Sequence, residues 1–398
     1  MNKFSVDSLK AGMVFSEPVV IEGDNILVPA GVEIRQKDID NLIVWEITEV
    51  ESEGKPIESE PVKEKKSPEL TTQAKTPPPP VKEKPQLKKA PSNVITLAEV
   101  QGNTGIYRSY TELIGRLDKV FNQIAAAENV HTSSIDNITR QLLQAVREHR
   151  QSMIGYILGG EVSGFELAKS SVNTAILSAL IATELKQPSH KVMNDVIGAL
   201  LHDVGMLRLP KELISKKGGL SPAEHQRMQA HPLFGYRIVT RELNYPEDLG
   251  TVVLQHHERW DGEGYPRKTA GAAIDLGARI VSVVDAFEAM VSQKSYRNSM
   301  IGYQAMKNIL SDNSRRFDPS ILKAFIQTMG IYPIGSIILL NNSAIARVVQ
   351  VHGNAPLRPK IQILVDENGS TKEGIQIDLL KDKRIFISRA VDPKEIAQ

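Results

Sequence analysis

Between Glu53 and Ser92 the chain is mostly Pro, Lys, Glu and Ser, with four consecutive prolines at Pro77–Pro80 and few large apolar side chains. Such a stretch buries too little apolar surface to offset the entropy of ordering it. It predicts an extended, disordered linker over residues 53–95. The chain must then fold as separate units on either side of that linker, and 398 residues suffice for two or three.

Before the linker, residues 1–52 read as a small α/β unit. Its β-rich runs Met13–Ile21 and Asn25–Val28 are punctuated by Gly12, Gly23 and Gly31. After it, Tyr110, Leu113, Leu117, Val120 and Phe121 recur at helical spacing. That periodicity predicts a helical connector over 96–160, and the mainly helical pattern continues through 161–330. From Ile331 the pattern changes to short strands at Ser336–Leu340, Ala344–Val351 and Lys360–Val365, giving a β-rich unit over 331–398. The expected class is mainly α, a helical bundle with small β-rich units at both ends.

A net charge of +1 supplies no global field for a nucleic-acid polymer or an acidic membrane, so any nucleotide must be held by local groups. The chain has no cysteine, which excludes disulfides and thiolate metal sites and suits a reducing cytoplasm. No apolar run approaches the roughly 20 residues that span a bilayer. The helices between 104 and 157 offer a face for a second copy, although packing within one chain explains the same spacing.

Chemistry concentrates in the helical segment. His202-Asp203, in Ala199-Leu200-Leu201-His202-Asp203-Val204-Gly205, is expected inside an apolar helix, and His231-Pro232 at the start of another. His256-His257-Glu258 precedes Arg259-Trp260-Asp261-Gly262-Glu263-Gly264-Tyr265-Pro266, and Asp285 lies within Ile280–Phe287. An unpaired charge among such apolar neighbours costs several kcal/mol. Taken singly, a buried His is more often a hydrogen-bonded core residue, and a buried Asp more often half of an ion pair. Together, four imidazoles and two carboxylates without a thiol suit iron, manganese, zinc or nickel. Six such groups exceed what one tetrahedral site uses, which points to two divalent ions.

This order of motifs resembles the HD-GYP family of cyclic di-GMP phosphodiesterases, over residues 161–330. The resemblance implies an HD-type helical bundle and cyclic di-GMP as ligand. It implies that Asp203, the catalytic residue, bridges two ions, most often iron or manganese. His202 and Asp285 would serve one ion, and His231, His256 and His257 the other. Gly264, Tyr265 and Pro266 would form a loop that contacts ligand and docks diguanylate-cyclase domains. Lys294 and Arg297 match places where the family carries basic residues near the dinucleotide; solvated surface charge is the alternative.

Two positions depart from the family pattern. Ser170, in Lys169-Ser170-Ser171-Val172-Asn173, stands where the family has its first ligating His, and a hydroxyl is a poorer ligand than imidazole. Met206 stands where the family has a phosphate-binding Lys, a charge-assisted bond of about 1.5–3 kcal/mol. Glu166, four residues before Ser170, is a candidate substitute ligand or an ordinary helix charge. Three functions follow: a cyclic di-GMP phosphodiesterase weakened at its first metal, a non-catalytic module that binds the dinucleotide or a partner protein, or a phosphohydrolase for another nucleotide. The Gly-Tyr-Pro loop argues against the third.

Overall fold

The computed structural model describes residues 2–20, 26–28, 30–44, 48–57, 104–159, 164–216, 218–292, 302–311, 313–370 and 374–391. The N-terminal part holds strands β1 (Asn2–Ser5), β2 (Val14–Phe15), β3 (Val19–Val20) and β4 (Ile26–Val28), helix α1 (Gln36–Val44), then β5 (Glu49–Ser52) and β6 (Pro56–Ile57). Helices follow: α2 (Thr104–Ala125), α3 (Thr132–Gly159), α4 (Glu166–Glu184), α5 (Ser189–Leu201), α6 (Lys211–Ile214), α7 (Pro222–Met228) and α8 (His231–Arg237). The series continues with α9 (Glu247–Gln255), α10 (Leu276–Val291), α11 (Gly302–Ser311), α12 (Asn313–Arg316) and α13 (Pro319–Met329). Strands β7 (Ile337–Leu340), β8 (Ile345–Gln350), β9 (Lys360–Val365), β10 (Gln376–Asp378) and β11 (Ile387–Ala390) complete it. The class is therefore mainly α with small sheets at both ends, as the periodicity predicts.

Two compact units are present. One takes the described parts of residues 1–92, 337–346 and 362–398; the other takes those of 93–336 and 347–361. In the first, an antiparallel sheet of order β1-β5-β3-β4 packs with α1 around Phe15, Ile34, Leu42 and Val50, all buried. The expected run Met13–Ile21 divides into β2 and β3 around Pro18, which has no N–H to give a ladder. Pro56 and Ile57, expected to lie in the linker, instead form a strand. β6 pairs with β2 (Val14↔Ile57, Phe15↔Pro56), and Lys55 N–H donates to Ser16 Oγ at 3.2 Å. A two-residue strand is too short to stand out in a composition average, and an edge position tolerates its proline. The remainder of 53–95 lies outside the described residues. The C-terminal strands form a sheet of order β10-β9-β8-β7-β11. β7, β8 and β9 fall on the three expected runs, whereas β10 and β11 carry no alternation that marks them in advance.

The helical unit is organised around α4. Every residue from Ala168 to Ala182 is buried, so this helix has no solvent face and α2, α3, α5, α10 and α13 pack around it. Its Ala and Ser side chains let those neighbours approach closely. α2 turns Tyr110, Leu113, Leu117, Val120 and Phe121 inward, the periodic set read from the sequence. Among the described residues no helix is long and apolar enough to cross a membrane.

One buried carboxylate in this core has a measurable cost. Asp195 on α5 is 5% exposed and accepts from Gln187 Nε2 at 2.8 Å. Burial pushes its carboxyl up to about 6, the Gln187 bond opposing and the Asp275 carboxylate adding to the rise. The folded value lies above the unfolded one, so the native state holds its proton longer. Asp195 therefore weakens the fold progressively as pH rises from about 4 to about 6, and by a constant amount above that. Asp195→Asn is expected to stabilise the protein by up to about 3 kcal/mol above pH 6, with little effect near pH 4. Urea unfolding at several pH values measures this; an equal effect at all of them refutes the account.

Candidate metal centre

Three of the four clustered histidines sit at helix ends. His202 caps the C-terminus of α5, His256 caps that of α9, and His231 begins α8 just beyond α7. The last carbonyls of a helix have no intrahelical donor. Here the imidazoles supply one. Nδ1–H of His202 donates to Ala199 O at 2.7 Å, that of His256 to Val253 O at 2.7 Å, and that of His231 to Met228 O at 2.8 Å. A carbonyl only accepts, so each Nδ1 bears the proton and each Nε2 of a neutral ring presents a lone pair. The negative ends of α5 and α9 also favour a cation at this place. The expectation of a His-Asp pair inside a helix is thus corrected: α5 stops at Leu201, and Asp203 leads a 3-10 turn over Val204–Arg208.

Gly205 shows why that turn is tight. A Cβ there would lie 2.0 Å from His231 O and 2.5 Å from Gly235 N, so only glycine lets α8 seat against it. This seating delivers His231 to Asp203. Asp203 Oδ1 lies 3.2 Å from His231 Nε2 and 3.8 Å from His256 Nε2, while its Oδ2 lies 3.4 Å from His202 Nε2. Asp285 Oδ1 reaches His202 Nε2 at 3.5 Å. Two donor groups result, Asp203-His231-His256-His257 and His202-Asp203-Asp285, joined by the one carboxylate.

The electrostatics divide the histidines. Burial holds His256 well below the usual range, reinforced by His257, His202 and His231, and burial lowers His257 to about 4. Both are neutral at pH 7, the ligating form. At His202 burial opposes the charge, yet Asp203 and Asp285 prevail and raise it well above normal. Both carboxylates are held low by His202 against the effect of their burial. The pocket therefore favours a positive charge between Asp203 and Asp285.

These groups fit metal ions. Among the described residues the buried His202 Nε2 has no hydrogen-bond partner, and the Nε2 atoms of His231 and His256 face each other at 3.3 Å. Lone pairs at that distance repel unless a cation or a shared proton lies between them. Two donors bound about 2.1 Å from one ion, at tetrahedral to octahedral angles, are about 3.0–3.4 Å apart. Most of the separations above lie in or close to that range.

The Gly-Tyr-Pro loop closes one side. Glu258, 2% exposed, accepts from the N–H groups of Arg267 at 2.7 Å and Thr269 at 3.0 Å. Gly264 lies so close to the His257–Arg259 backbone that a Cβ would be 2.4 Å from Arg259 N. Tyr265 N–H donates to His257 O at 3.2 Å, and its ring lies 4.7 Å from the His257 ring. Burial, then Asp203 and Asp285, push the Tyr265 phenol above its usual range, with Arg316 pulling the other way. Pro266, exposed, completes the loop.

Residues 134–321 match the HD domain family, and residues 337–398 match a KOW domain associated with HD domain. A cyclic di-GMP phosphodiesterase of Pseudomonas aeruginosa is 27% identical over 244 residues, 61% of this chain and 58% of that protein. One of Borreliella burgdorferi is 27% identical over 229 residues, 57% of this chain and 60% of that protein. One of Thermotoga maritima is 34% identical over 168 residues, 42% of this chain and 46% of that protein. Over residues 134–321 the chain is therefore similar to HD domains, and the relatives it matches are named cyclic di-GMP phosphodiesterases. It spans between about half and three-fifths of the length of these relatives.

Within the helical unit the structure brings His202, Asp203, His231, His256, His257 and Asp285 together, with Gly264, Tyr265 and Pro266 beside them. Glu166 is exposed on the first turn of α4 and belongs to neither donor group. Met206 lies on the 3-10 turn after Asp203. Lys294 and Arg297 lie outside the described residues. Ser170 donates to Glu288 Oε2 at 2.5 Å, Asn173 Nδ2 to Glu288 Oε1 at 3.0 Å, and Tyr110 OH to Asn173 Oδ1 at 2.7 Å. Ser292 also donates to Glu288. Sequence reasoning passed over Glu288 and the role of Glu258. The signal for Glu288 was available: a carboxylate one helical turn beyond Asp285 on the same apolar helix.

Two outcomes are expected. Gly205→Ala forces the His231 backbone away, lowering stability by about 1–3 kcal/mol and reducing metal content, both read by thermal unfolding with elemental analysis. Asp203→Asn should lose metal from both groups, whereas Asp285→Asn should spare the four-residue group. Equal metal loss in the two variants would contradict a shared Asp203.

Proposed function

We propose that the helical unit is an HD-GYP domain, a metal-dependent phosphodiesterase acting on cyclic di-GMP. The observation that carries this reading is Asp203, whose two oxygens face two separate sets of imidazole and carboxylate donors. The names of the relatives supply the substrate class. The groups suit two divalent ions, iron or manganese before zinc or nickel. Bound there, such ions supply an acidified water and neutralise charge on the phosphoryl oxygens.

The chain's own residues prepare the place. Ala199, Met228 and Val253 carbonyls fix the three rings in one tautomer, so Nε2 points inward without reorganisation. Glu258 holds the loop against the His256-His257 step. The Tyr265 hydroxyl, protonated throughout the physiological range, is a donor for a ligand oxygen beside the carboxylates. Lys294 and Arg297 are proposed phosphate contacts. The exposed part of the loop is the proposed docking place for a diguanylate-cyclase domain, and the cytoplasm is the proposed compartment.

A second reading, a module that binds cyclic di-GMP without turnover, draws on Ser170. Its hydroxyl is engaged with Glu288, leaving His202, Asp203 and Asp285 as the second group. Anaerobic loading with iron(II) or manganese, metal counting and chromatography of cyclic di-GMP separate the two. Two ions per chain and conversion to the linear dinucleotide or GMP are expected. Tight binding without conversion supports the module, and neither binding nor conversion refutes both.

A further inference from the structure

Asp203 owes its place to the short 3-10 turn that it leads. Met206 N–H donates to Asp203 O at 2.9 Å and Leu209 N–H to Met206 O at 3.0 Å, so a single hydrogen-bonded turn joins Asp203 to Arg208. One side of that turn is seated on α8 through Gly205. The other side is held by Arg208, whose guanidinium bonds to two different elements.

The first of these elements is α2. Arg208 Nη1 donates to Ile124 O at 3.1 Å, in the last turn of that helix. α2 closes with Ala127 N–H on Ile124 O at 3.1 Å and Glu128 N–H on Gln123 O at 2.9 Å, Ala127 taking a left-handed φ of 54°. These two bonds stop the helix, and the helix dipole favours a cation beside its final carbonyls. The Ile124 side chain is buried, so core packing fixes the acceptor. The second element is the π-helical turn Ile238–Glu242, which continues α8 from His231. Glu242 Oε2 accepts from Arg208 Nη2 at 2.8 Å. A guanidinium is a planar fork with fixed donor directions, so engaging both partners leaves it little freedom.

The closed end of the α2–α3 hairpin has another attachment. Tyr245 OH donates to Asp136 Oδ1 on α3 at 2.8 Å. That bond joins the hairpin to the segment before α9, not to the turn of Asp203.

We propose that Arg208 is a positioning residue for the metal centre, setting Asp203 against His231 by clamping its turn to the end of α2. This rests on the metal-centre reading and on no particular ligand, and it makes the α2–α3 hairpin part of the centre. Because both donor groups share Asp203, loosening the turn weakens both at once.

Manganese(II) titration of the metal-stripped full chain, read by electron paramagnetic resonance of the free ion, tests this beside thermal unfolding. Arg208→Gln is expected to weaken manganese binding at both donor groups about tenfold, the scale for a group that orients a ligand from outside. Arg208→Lys, which keeps a charge beside the end of α2, should recover part of the loss. Tyr245→Phe removes the other hairpin attachment and should leave manganese affinity unchanged, even where its unfolding temperature falls. Glu242→Gln, which loosens one bond only, should weaken binding by a smaller factor. Undiminished affinity in Arg208→Gln, or in Glu242→Gln where the former does not fold, overturns the proposal and leaves the metal centre intact, as does an equal loss in Tyr245→Phe. A wild-type chain that binds no manganese(II) overturns both.

Discussion

Nitrogen lone pairs brought together inside a protein repel one another, and the helical unit is arranged so that they cannot turn away. His231 and His256 face each other across 3.3 Å because each Nδ1–H is tied to a carbonyl at the end of a helix. The same bonds that finish α7 and α9 therefore aim the imidazoles. Asp203 lies between this pair and His202, so one carboxylate couples the end of α5 to the ends of two other helices. The bundle and the site depend on the same few helix termini.

Much of this was legible in the chain itself. The six converging residues stand among apolar neighbours, and the desolvation penalty makes such a placement informative even without coordinates. α4 was legible as a helix, and its burial on all sides follows from its Ala and Ser content. What escaped the sequence was of two kinds. Two-residue strands such as β6 are stabilised by a single pairing partner, so their own residues carry little pattern. The engagement of Ser170 with Glu288 depends on helix rotation across the α4–α10 contact, which spacing along one helix cannot specify. Periodicity likewise extends α5 past Leu201, whereas the close seating of Gly205 on the His231 backbone ends it.

The loop beside the site is held from within. Glu258 follows His257 directly, and its carboxylate ties down backbone N–H groups at Arg267 and Thr269. Tyr265 is thereby kept against His257 by main-chain bonds rather than by its own hydroxyl. The order of residues in this segment thus unites metal ligation and loop shape in consecutive positions.

The buried cluster around Glu288 bears on attempts to rebuild the Asp285 side of the centre. Four side chains from three helices converge there: Tyr110, Ser170 and Asn173, with Glu288 accepting from the latter two. An imidazole introduced by Ser170→His would enter a space already filled by that carboxylate, and would remove one of its donors. Reconstruction of a ligand at position 170 is therefore a two-residue problem, in which a shorter acid at position 288 makes the room that the ring requires.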